Sequence, residues 1–456
     1  MSIVIRGALT LEGERVDIVI EEGTIAEIRP AEAGKGSAPV GRGAVASEEV
    51  PSLTSAEHPR PLSAGRGEVV VIDAAGMLAI PSLVNAHAHS AMTLLRGTAE
   101  DLELDDWLRM AVWPREALLD AEDIYWGTRL AAIEMIKSGT TLCQDMYLDP
   151  GAQARAAQDS GMRFVVSYPI VDAMDEPRGA RQRSSCEAFF DASPDFGALV
   201  SFNLGAHSIY ATSEASLRWL GSFARERSLG LHIHLAETEA ERRSCIAERG
   251  LSPAAYLDSI GFLGPKLFAA HALWLDEGDF DLLARHGVSL VHNPVSNMKL
   301  ASGPAYDFEA ARSRGIRTLL GTDGCASNNS LDLFSDMKIA ALLQKQHYRD
   351  ARRMGVAEIF DAATRAGHEA FGDGAGIMVE GRAADLLLVD LSKPGMLPTH
   401  DLQSSLVYAG GGAAVDTVIC AGRILMRSGR IEGEEEVRIE ATRRAQVLAE
   451  RWKSIA

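Results

Sequence analysis

Apolar and polar positions alternate along the first part of the chain. Isoleucine and valine recur mainly at every second position in the segments 2–5, 16–20 and 25–28, and Gly7, Gly13 and Gly23 separate these segments. Because successive side chains of a strand point to opposite faces, this period predicts hairpins of a small, half-buried sheet. Residues 30–67 are rich in Gly, Ala, Pro, Ser and Glu, which predicts a loop or a disordered insertion.

A different pattern follows, in which short apolar runs alternate with amphipathic segments. Segments such as 121–137 and 213–227 have the spacing of amphipathic helices. The runs that we predict to be strands are 83–86, 140–145, 163–167, 199–205, 230–235, 267–271, 288–292 and 317–321. Eight strand–helix units of this size predict a (β/α)8 TIM barrel. A doubly wound open sheet is the alternative, but no glycine-rich phosphate loop follows the first strand.

Further strands are predicted after the barrel, at 381–390, 415–420 and 422–425, before a final helix at 435–452. The strands at the two chain ends have no barrel to join, so we predict that they pair with each other in one small β-sandwich domain. The chain is therefore predicted to be an α/β protein. Residues 1–80 and 376–456 would build the β-sandwich domain with the final helix, and residues 81–375 would build the barrel.

Composition and charge narrow the classes of function. Of the 456 residues, 46% are hydrophobic and 24% are charged, as in ordinary globular proteins. The net charge of -18 disfavours nucleic acid and anionic membranes as partners. No apolar run is long enough to span a bilayer, and the N-terminus lacks the pattern of a signal segment, so we expect a cytoplasmic protein. The five cysteines are scattered without CxxC spacing, which argues against disulfides and a cysteine zinc cluster.

Metal-binding side chains stand at the predicted ends of several strands. His87 and His89 lie two positions apart at the end of the first strand, so both point to one face. The other residues of this kind are His234 and Glu237 at the fifth strand, His271 at the sixth and Asp323 at the eighth. In a barrel these ends meet at one face, where sites assemble.

Three histidines and an aspartate make a plausible set of metal ligands. His87, His89, His234 and Asp323 would supply three nitrogens and one oxygen to a divalent ion, zinc or iron, with room for a water. His232 is expected to be a core histidine or to support a ligand. The fourth strand ends without the lysine that bridges two ions in binuclear barrels of this type, so we expect one ion.

The sequence resembles the metal-dependent amidohydrolases, and within them the branch of 5′-methylthioadenosine/S-adenosylhomocysteine deaminases. The runs that carry the resemblance are HAHSAMTLLRG at 87–97, HIHLAET at 232–238, HNPVSN at 292–297 and GTDGCASNN at 321–329. It covers nearly the whole chain except 30–67. The resemblance implies zinc-dependent, hydrolytic deamination of an adenosine-type nucleoside: 5′-methylthioadenosine, S-adenosylhomocysteine, 5′-deoxyadenosine or adenosine.

The resemblance also implies roles for individual residues. Asp323 would accept a proton from the attacking water, and His271 would orient or polarise that water. Glu237 would protonate the ring nitrogen next to the attacked carbon. The substrate contacts that it implies are Trp107 and Glu116 at the ribose, with Glu237, His207 and Ser327 as further contacts.

One departure concerns the 5′ end of the substrate. Family members that act on S-adenosylhomocysteine can present an arginine after the third strand, and the register gives Tyr168 there. An arginine of the following loop, Arg178, Arg181 or Arg183, could compensate. An uncharged 5′ group is therefore at least as well supported as the charged amino-acid tail.

Two other functions remain as alternatives. One is hydrolysis or deamination of another heterocycle, such as guanine, an oxidised purine, a pterin or a triazine. The other is an inactive barrel used for assembly, which would predict eroded ligands, whereas none of the key positions is lost. The sequence leaves open whether the metal is zinc or iron and whether the chain forms a homo-oligomer.

Overall fold

The strands form two separate sheets in the computed structural model, which describes residues 2–31, 69–192 and 196–454. In chain order the strands are β1 (Ser2–Leu9), β2 (Arg15–Glu21), β3 (Thr24–Pro30), β4 (Val69–Asp73), β5 (Met77–Pro81), β6 (Leu83–His89), β7 (Thr140–Met146), β8 (Arg163–Ile170), β9 (Val200–Ala206), β10 (Leu231–Leu235), β11 (Leu267–His271), β12 (Ser289–His292), β13 (Thr318–Leu320), β14 (Asp323–Gly324), β15 (Leu386–Asp390), β16 (Val415–Cys420) and β17 (Arg423–Met426). Most of the insertion predicted at 30–67 lies outside the described residues.

The helices alternate with the barrel strands and also follow the last strand. They are α1 (Leu104–Asp106), α2 (Trp113–Glu116), α3 (Ala121–Lys137), α4 (Pro150–Ser160), α5 (Glu176–Ala192), α6 (Glu214–Arg227), α7 (Glu239–Arg249), α8 (Pro253–Ser259), α9 (Glu277–Arg285), α10 (Pro294–Lys299), α11 (Phe308–Ser313), α12 (Leu333–Tyr348), α13 (Val356–Ala363), α14 (Arg365–Phe371), α15 (Leu402–Ser405) and α16 (Glu434–Lys453). A π-helical stretch, Trp107–Val112, joins α1 to α2. Among the described residues, no helix is both long and apolar enough to cross a membrane.

The larger sheet closes on itself. Its strands run parallel and neighbour one another in the order β13 back to β6, and β14 then pairs with β6. Because only Gly321 and Thr322 separate β13 from β14, one stretch of chain joins both edges. The predicted TIM barrel is confirmed, and the open sheet is excluded. β6 and β8 extend further than predicted, because β6 still pairs with β7 at Ala88, between the two histidines, and β8 pairs with β9 as far as Ile170.

The smaller sheet contains strands from both chain ends, as predicted. Its order is β17-β16-β15-β5-β1-β2-β3, with β4 also paired to β1. Alternate residues of β1, such as Ile3 and Ile5, share an apolar cluster with Leu386 and Leu388 of β15. The last helix, α16, packs against the barrel helix α3. The predicted domain boundaries stay predictions.

A buried ion pair joins the barrel to this sheet. Arg163, at the start of β8, donates from Nε and Nη2 to the two carboxylate oxygens of Asp385, at 2.9 and 3.0 Å. Asp385 Oδ2 also accepts the backbone N–H of Ala421 at 3.0 Å, and the Asp385 side chain is fully buried. The pair fixes the sheet to the N-terminal end of the barrel, away from the strand ends that carry the histidines.

We expect Arg163→Met to lower the free energy of unfolding by about 3–5 kcal/mol, because it leaves the Asp385 carboxylate buried without its cation. Urea denaturation followed by circular dichroism measures this change. Arg352→Met is the control, since the Arg352 side chain is 90% exposed in its pair with Asp350 and should not shift the curve. Equal curves for Arg163→Met and the wild type would show that the pair contributes nothing.

Candidate functional site

The C-terminal ends of the barrel strands bring the predicted metal ligands together. His87 and His89 come from β6, His234 from β10 and Asp323 from β14. The ligand atoms of His87, His89 and Asp323 lie within 4.8 Å of one another, and those of His87, His234 and His271 form a second such group. His87 belongs to both groups, so the five side chains surround one point.

Hydrogen bonds to backbone carbonyls orient two of these histidines. His89 Nδ1 donates to the carbonyl of Met146, and His234 Nδ1 donates to that of His207, each at 2.6 Å. With the proton on Nδ1, each ring presents an unprotonated Nε2, and these two Nε2 atoms are 3.2 Å apart. Two lone pairs facing each other at this distance repel unless a proton or a metal ion lies between them. Burial would lower the pKa of His89, but the hydrogen bond and charge of Asp323 outweigh it and raise that pKa to about 9, so the site favours a positive charge at this nitrogen.

His232 orients His87 in the same way. Its Nε2 lies 2.8 Å from His87 Nδ1, and its Nδ1 lies 3.0 Å from the hydroxyl of Ser167. This chain of bonds directs the buried His87 Nε2 to the site, where it lies 3.3 Å from Asp323 Oδ1. His232 thus supports a ligand, as a histidine beside a metal site commonly requires.

Asp323 adds the one carboxylate to the group. Its Oδ1 lies 3.1 Å from His89 Nε2, while its Oδ2 accepts from the hydroxyls of Ser296 at 2.5 Å and Ser327 at 3.1 Å. Burial alone would raise the pKa of Asp323, but hydrogen bonds and charges from His87 and His89 outweigh it and hold that pKa well below its usual range. Three nitrogen donors and one oxygen donor, each fixed by a further bond, fit a zinc or iron ion.

His271 differs from the other histidines in its proton position. Asn297 presents its amide nitrogen to His271 Nδ1 at 2.7 Å, so Nδ1 accepts and Nε2 carries the proton. That Nε2 lies 3.7 Å from Glu237 Oε2. The ring therefore offers the site a hydrogen-bond donor, which favours contact with a bound oxygen over metal ligation. The sequence suggested no role for Asn297 or Ser296, although both lie in the run at 292–297.

Glu237 is a buried carboxyl group beside this cluster. Burial, and then the charges of Asp323 and Glu241, raise its pKa well above the usual range. The hydroxyl of Ser302 donates to Glu237 Oε1 at 3.3 Å. A carboxyl group that keeps its proton near neutral pH can act as a general acid.

A cavity of about 540 Å³ opens onto the cluster. Trp107, Glu116, His207 and Glu237 line it, together with His89, His234, His271 and Asp323. Its size is in the range of small-molecule sites. Ser327 is buried behind Asp323 and does not line the cavity, so the structure does not bring this predicted substrate contact to it. Burial lowers the pKa of His207 to about 4, so its ring is neutral.

The predicted position of Tyr168 is wrong. Ser167 points into the barrel towards His232, so the next residue along β8 points outward, and the Tyr168 ring packs at 5.3 Å from Phe189 of α5. The three arginines predicted in the following loop all lie on the helix α5, and of these Arg178 lines the cavity, whereas Arg181 and Arg183 do not. Arg178 lies on α5 and forms no salt bridge within the described part of the chain.

We expect the purified protein to carry one zinc or iron ion per chain, and His89→Ala to weaken its binding by about 10-fold or more, because one converging donor is lost. Elemental analysis after dialysis measures the metal content. His286→Ala is the matched control. The His286 ring, at the end of α9, pairs with Asp258, so this variant should leave the metal content unchanged. Two ions per chain would contradict a mononuclear site, and full occupancy in His89→Ala would contradict the role of His89 as a ligand.

Known proteins resemble this chain in sequence and in fold. A 5′-deoxyadenosine deaminase of Methanoregula boonei is 45% identical over 388 residues, covering 85% of this chain and 88% of the relative. A 5-methylthioadenosine/S-adenosylhomocysteine deaminase of Archaeoglobus fulgidus is 42% identical, covering 80% and 86%. A zinc-bound adenosine deaminase from Xanthomonas campestris superposes with a TM-score of 0.84 at 30% identity, covering 98% of each chain. The amidohydrolase family model matches residues 78–425, and the chain belongs to this family.

Proposed function

We propose that the protein is a metal-dependent hydrolase that deaminates an adenosine-type nucleoside to the corresponding inosine and ammonia. The observation that carries this proposal is one cavity in which the histidine–aspartate cluster and Glu237 lie with Trp107 and Glu116 on the wall. A ring that loses its amine would face the cluster, and a ribose would face Trp107 and Glu116. The relatives named as adenosine-type deaminases support the same substrate class.

His87, His89, His234 and Asp323 would hold one divalent ion, zinc or iron. When bound, such an ion is a Lewis acid that makes water nucleophilic near neutral pH. His232, through its bond to His87, and the carbonyls of Met146 and His207 keep the ligands in the required tautomers. The protein itself thus contributes the fixed orientation of the four metal-binding side chains.

The remaining polar groups move protons. Asp323 accepts a proton from the attacking water on a carboxylate oxygen, and the Nε2–H of His271 donates a hydrogen bond to the oxygen that attacks. Glu237 gives its proton to the ring nitrogen next to the attacked carbon, which makes that carbon electrophilic. The amine then takes the proton from Asp323 and leaves as ammonia with the electron pair of the C–N bond, while the new hydroxyl becomes a carbonyl and returns its proton to Glu237.

The other end of the cavity suits a ribose. Glu116 is half-buried beside Tyr147, and a carboxylate can accept hydrogen bonds from two neighbouring hydroxyls. Trp107 is 4% exposed and offers an aromatic surface with its indole nitrogen unpaired among the described residues. His207 adds a neutral polar contact to the same wall.

The wall near the expected 5′ end is largely apolar. Leu148, Pro169, Val171 and Tyr210 line the cavity, whose cations are Arg109, paired with Asp105, and Arg178. We propose that small uncharged 5′ groups, as in 5′-deoxyadenosine or 5′-methylthioadenosine, fit this wall, and that an acidic tail would depend on Arg178. A cytoplasmic location stays a prediction from the sequence, and the oligomeric state stays open.

The metal-loaded protein should convert 5′-deoxyadenosine and 5′-methylthioadenosine to their inosine analogues with release of one ammonia per turnover. The change of the adenine absorbance band and an enzymatic ammonia assay measure this reaction. A panel that adds S-adenosylhomocysteine, adenosine, guanine, a pterin and a triazine ranks the substrates. Turnover of a free base or triazine without any nucleoside turnover would overturn the proposal in favour of another heterocycle.

Glu116→Ala should raise the KM for nucleosides by about 10- to 100-fold, because hydrogen bonds to a charged acceptor contribute about 1.5–3 kcal/mol. Free adenine has no ribose, so its turnover, however slow, should change little. Glu122→Ala removes a carboxylate from the exposed start of α3 and serves as the control. An equal loss with nucleoside and free base would remove the ribose role of Glu116.

A further inference from the structure

We propose that Glu241 is a positioning residue that fixes the place of the proton donor Glu237 through the backbone. This inference rests on the proposed function, because it concerns the proton donor of that reaction. Glu241 lies in the first turn of α7 and is 5% exposed, although glutamate is rarely so buried without a reason.

Both carboxylate oxygens of Glu241 bind the backbone that carries Glu237. Oε1 accepts the N–H of Ala236 and Oε2 accepts the N–H of Glu237, each at 3.0 Å. One side chain thus holds two consecutive peptide groups just beyond the end of β10. Burial raises the pKa of Glu241 to about 7, while the two N–H groups act in the opposite direction and favour the carboxylate, since both oxygens accept. Hydrogen bonds to a carboxylate are stronger than those to a neutral group, so the two peptide groups are held firmly.

This pattern differs from an ordinary helix N-terminus. The side chain of Thr238 caps α7 by accepting the N–H of Glu241 at 3.1 Å. A glutamate at this position of a capping box usually bonds the N–H of the capping residue itself. Here it reaches past Thr238 to the two preceding residues, so it ties the helix to the catalytic turn rather than closing the helix end.

The turn needs such a restraint. Ala236 has a φ of +48°, in the left-handed region that disfavours a residue with a Cβ. Its carbonyl accepts the N–H groups of Leu273 and Trp274, at 3.2 and 3.0 Å. Glu241 therefore holds the turn from one side while the chain after β11 holds it from the other.

The side chain of Glu237 has a separate support. Ser302 donates to Glu237 Oε1, and the carbonyl of Ser302 accepts the Nε1–H of Trp274 at 2.9 Å. Ser302 orients the carboxyl group, whereas Glu241 sets the backbone from which it extends. Loss of Glu241 should therefore displace the proton donor without removing it or disturbing the substrate's ribose contacts.

Glu241→Gln tests this role with almost no change in shape. Its amide keeps one acceptor but turns an NH2 group towards the second backbone N–H. With an adenosine-type substrate we expect kcat to fall about 10- to 100-fold, as for a misplaced catalytic group, with KM changed by less than about 3-fold. Glu239→Gln, which removes an equal charge from the exposed side of the same turn, should leave both constants unchanged.

The 6-chloro analogue of the same nucleoside separates positioning from general damage. Water attacks the ring carbon and gives one proton to Asp323, the C–Cl bond breaks with its electron pair, and chloride leaves as an anion that needs no proton. This reaction depends less on Glu237, so the ratio of kcat for the amino substrate to kcat for the chloro substrate should fall about 10-fold in Glu241→Gln. A purely structural defect would lower both rates equally and leave the ratio unchanged.

Glu241→Asp is measured in parallel, so the test does not depend on the folding of one variant. It keeps the charge and both oxygens but shortens the reach by one methylene, and the ratio should lie between those of wild type and Glu241→Gln. An unchanged ratio in whichever variants fold, with wild-type deamination intact, would overturn the role of Glu241 alone. Absence of nucleoside deamination in the wild type would overturn the proposed function and this inference with it.

Discussion

The convergence of unprotonated imidazole nitrogens on one carboxylate is the constraint on which the site depends. His89 Nε2 and His234 Nε2 face each other at 3.2 Å, and Asp323 Oδ1 lies 3.1 Å from the first of them. Unless a proton or a metal ion lies between these atoms they repel one another, so the barrel must hold each ring in place by other means. It does so with bonds from every Nδ1 to a fixed partner: a carbonyl for His89 and His234, and His232 for His87.

Several parts of the fold follow from that requirement. A closed parallel barrel places the ends of β6, β10 and β14 around one point, and the N-terminal end is free to be fixed to a second sheet through Arg163 and Asp385. The left-handed backbone at Asp323, with a φ of +64°, is tolerated where the strand must turn its side chain into the site. Stability and chemistry are thus assigned to opposite ends of the barrel.

The sequence was informative wherever a short-range pattern carried the signal. Strand periodicity located eight of the nine barrel strands but not the two-residue β14, and β11 has the predicted bounds 267–271. It failed for Tyr168, because a single register step decides between the cavity and the helix layer, and only the contact of Ser167 with His232 fixes that step. The sequence carried no indication of the roles of Asn297 and Glu241. The partner of Asn297 is His271, which is distant in the chain, and the partners of Glu241 are backbone N–H groups.

By itself the sequence determined the barrel, the pairing of the two chain ends and the residue types available for a metal and for proton transfer. These depend on periodicity and on chemistry that each side chain carries alone. Only the tertiary structure decided which nitrogen of each histidine faces the site, that Ser327 lies behind Asp323, and that Arg178 rather than Tyr168 reaches the cavity. Those facts depend on contacts between strands and helices far apart in the chain, because a tautomer or a side-chain direction is set by the partner that packing supplies.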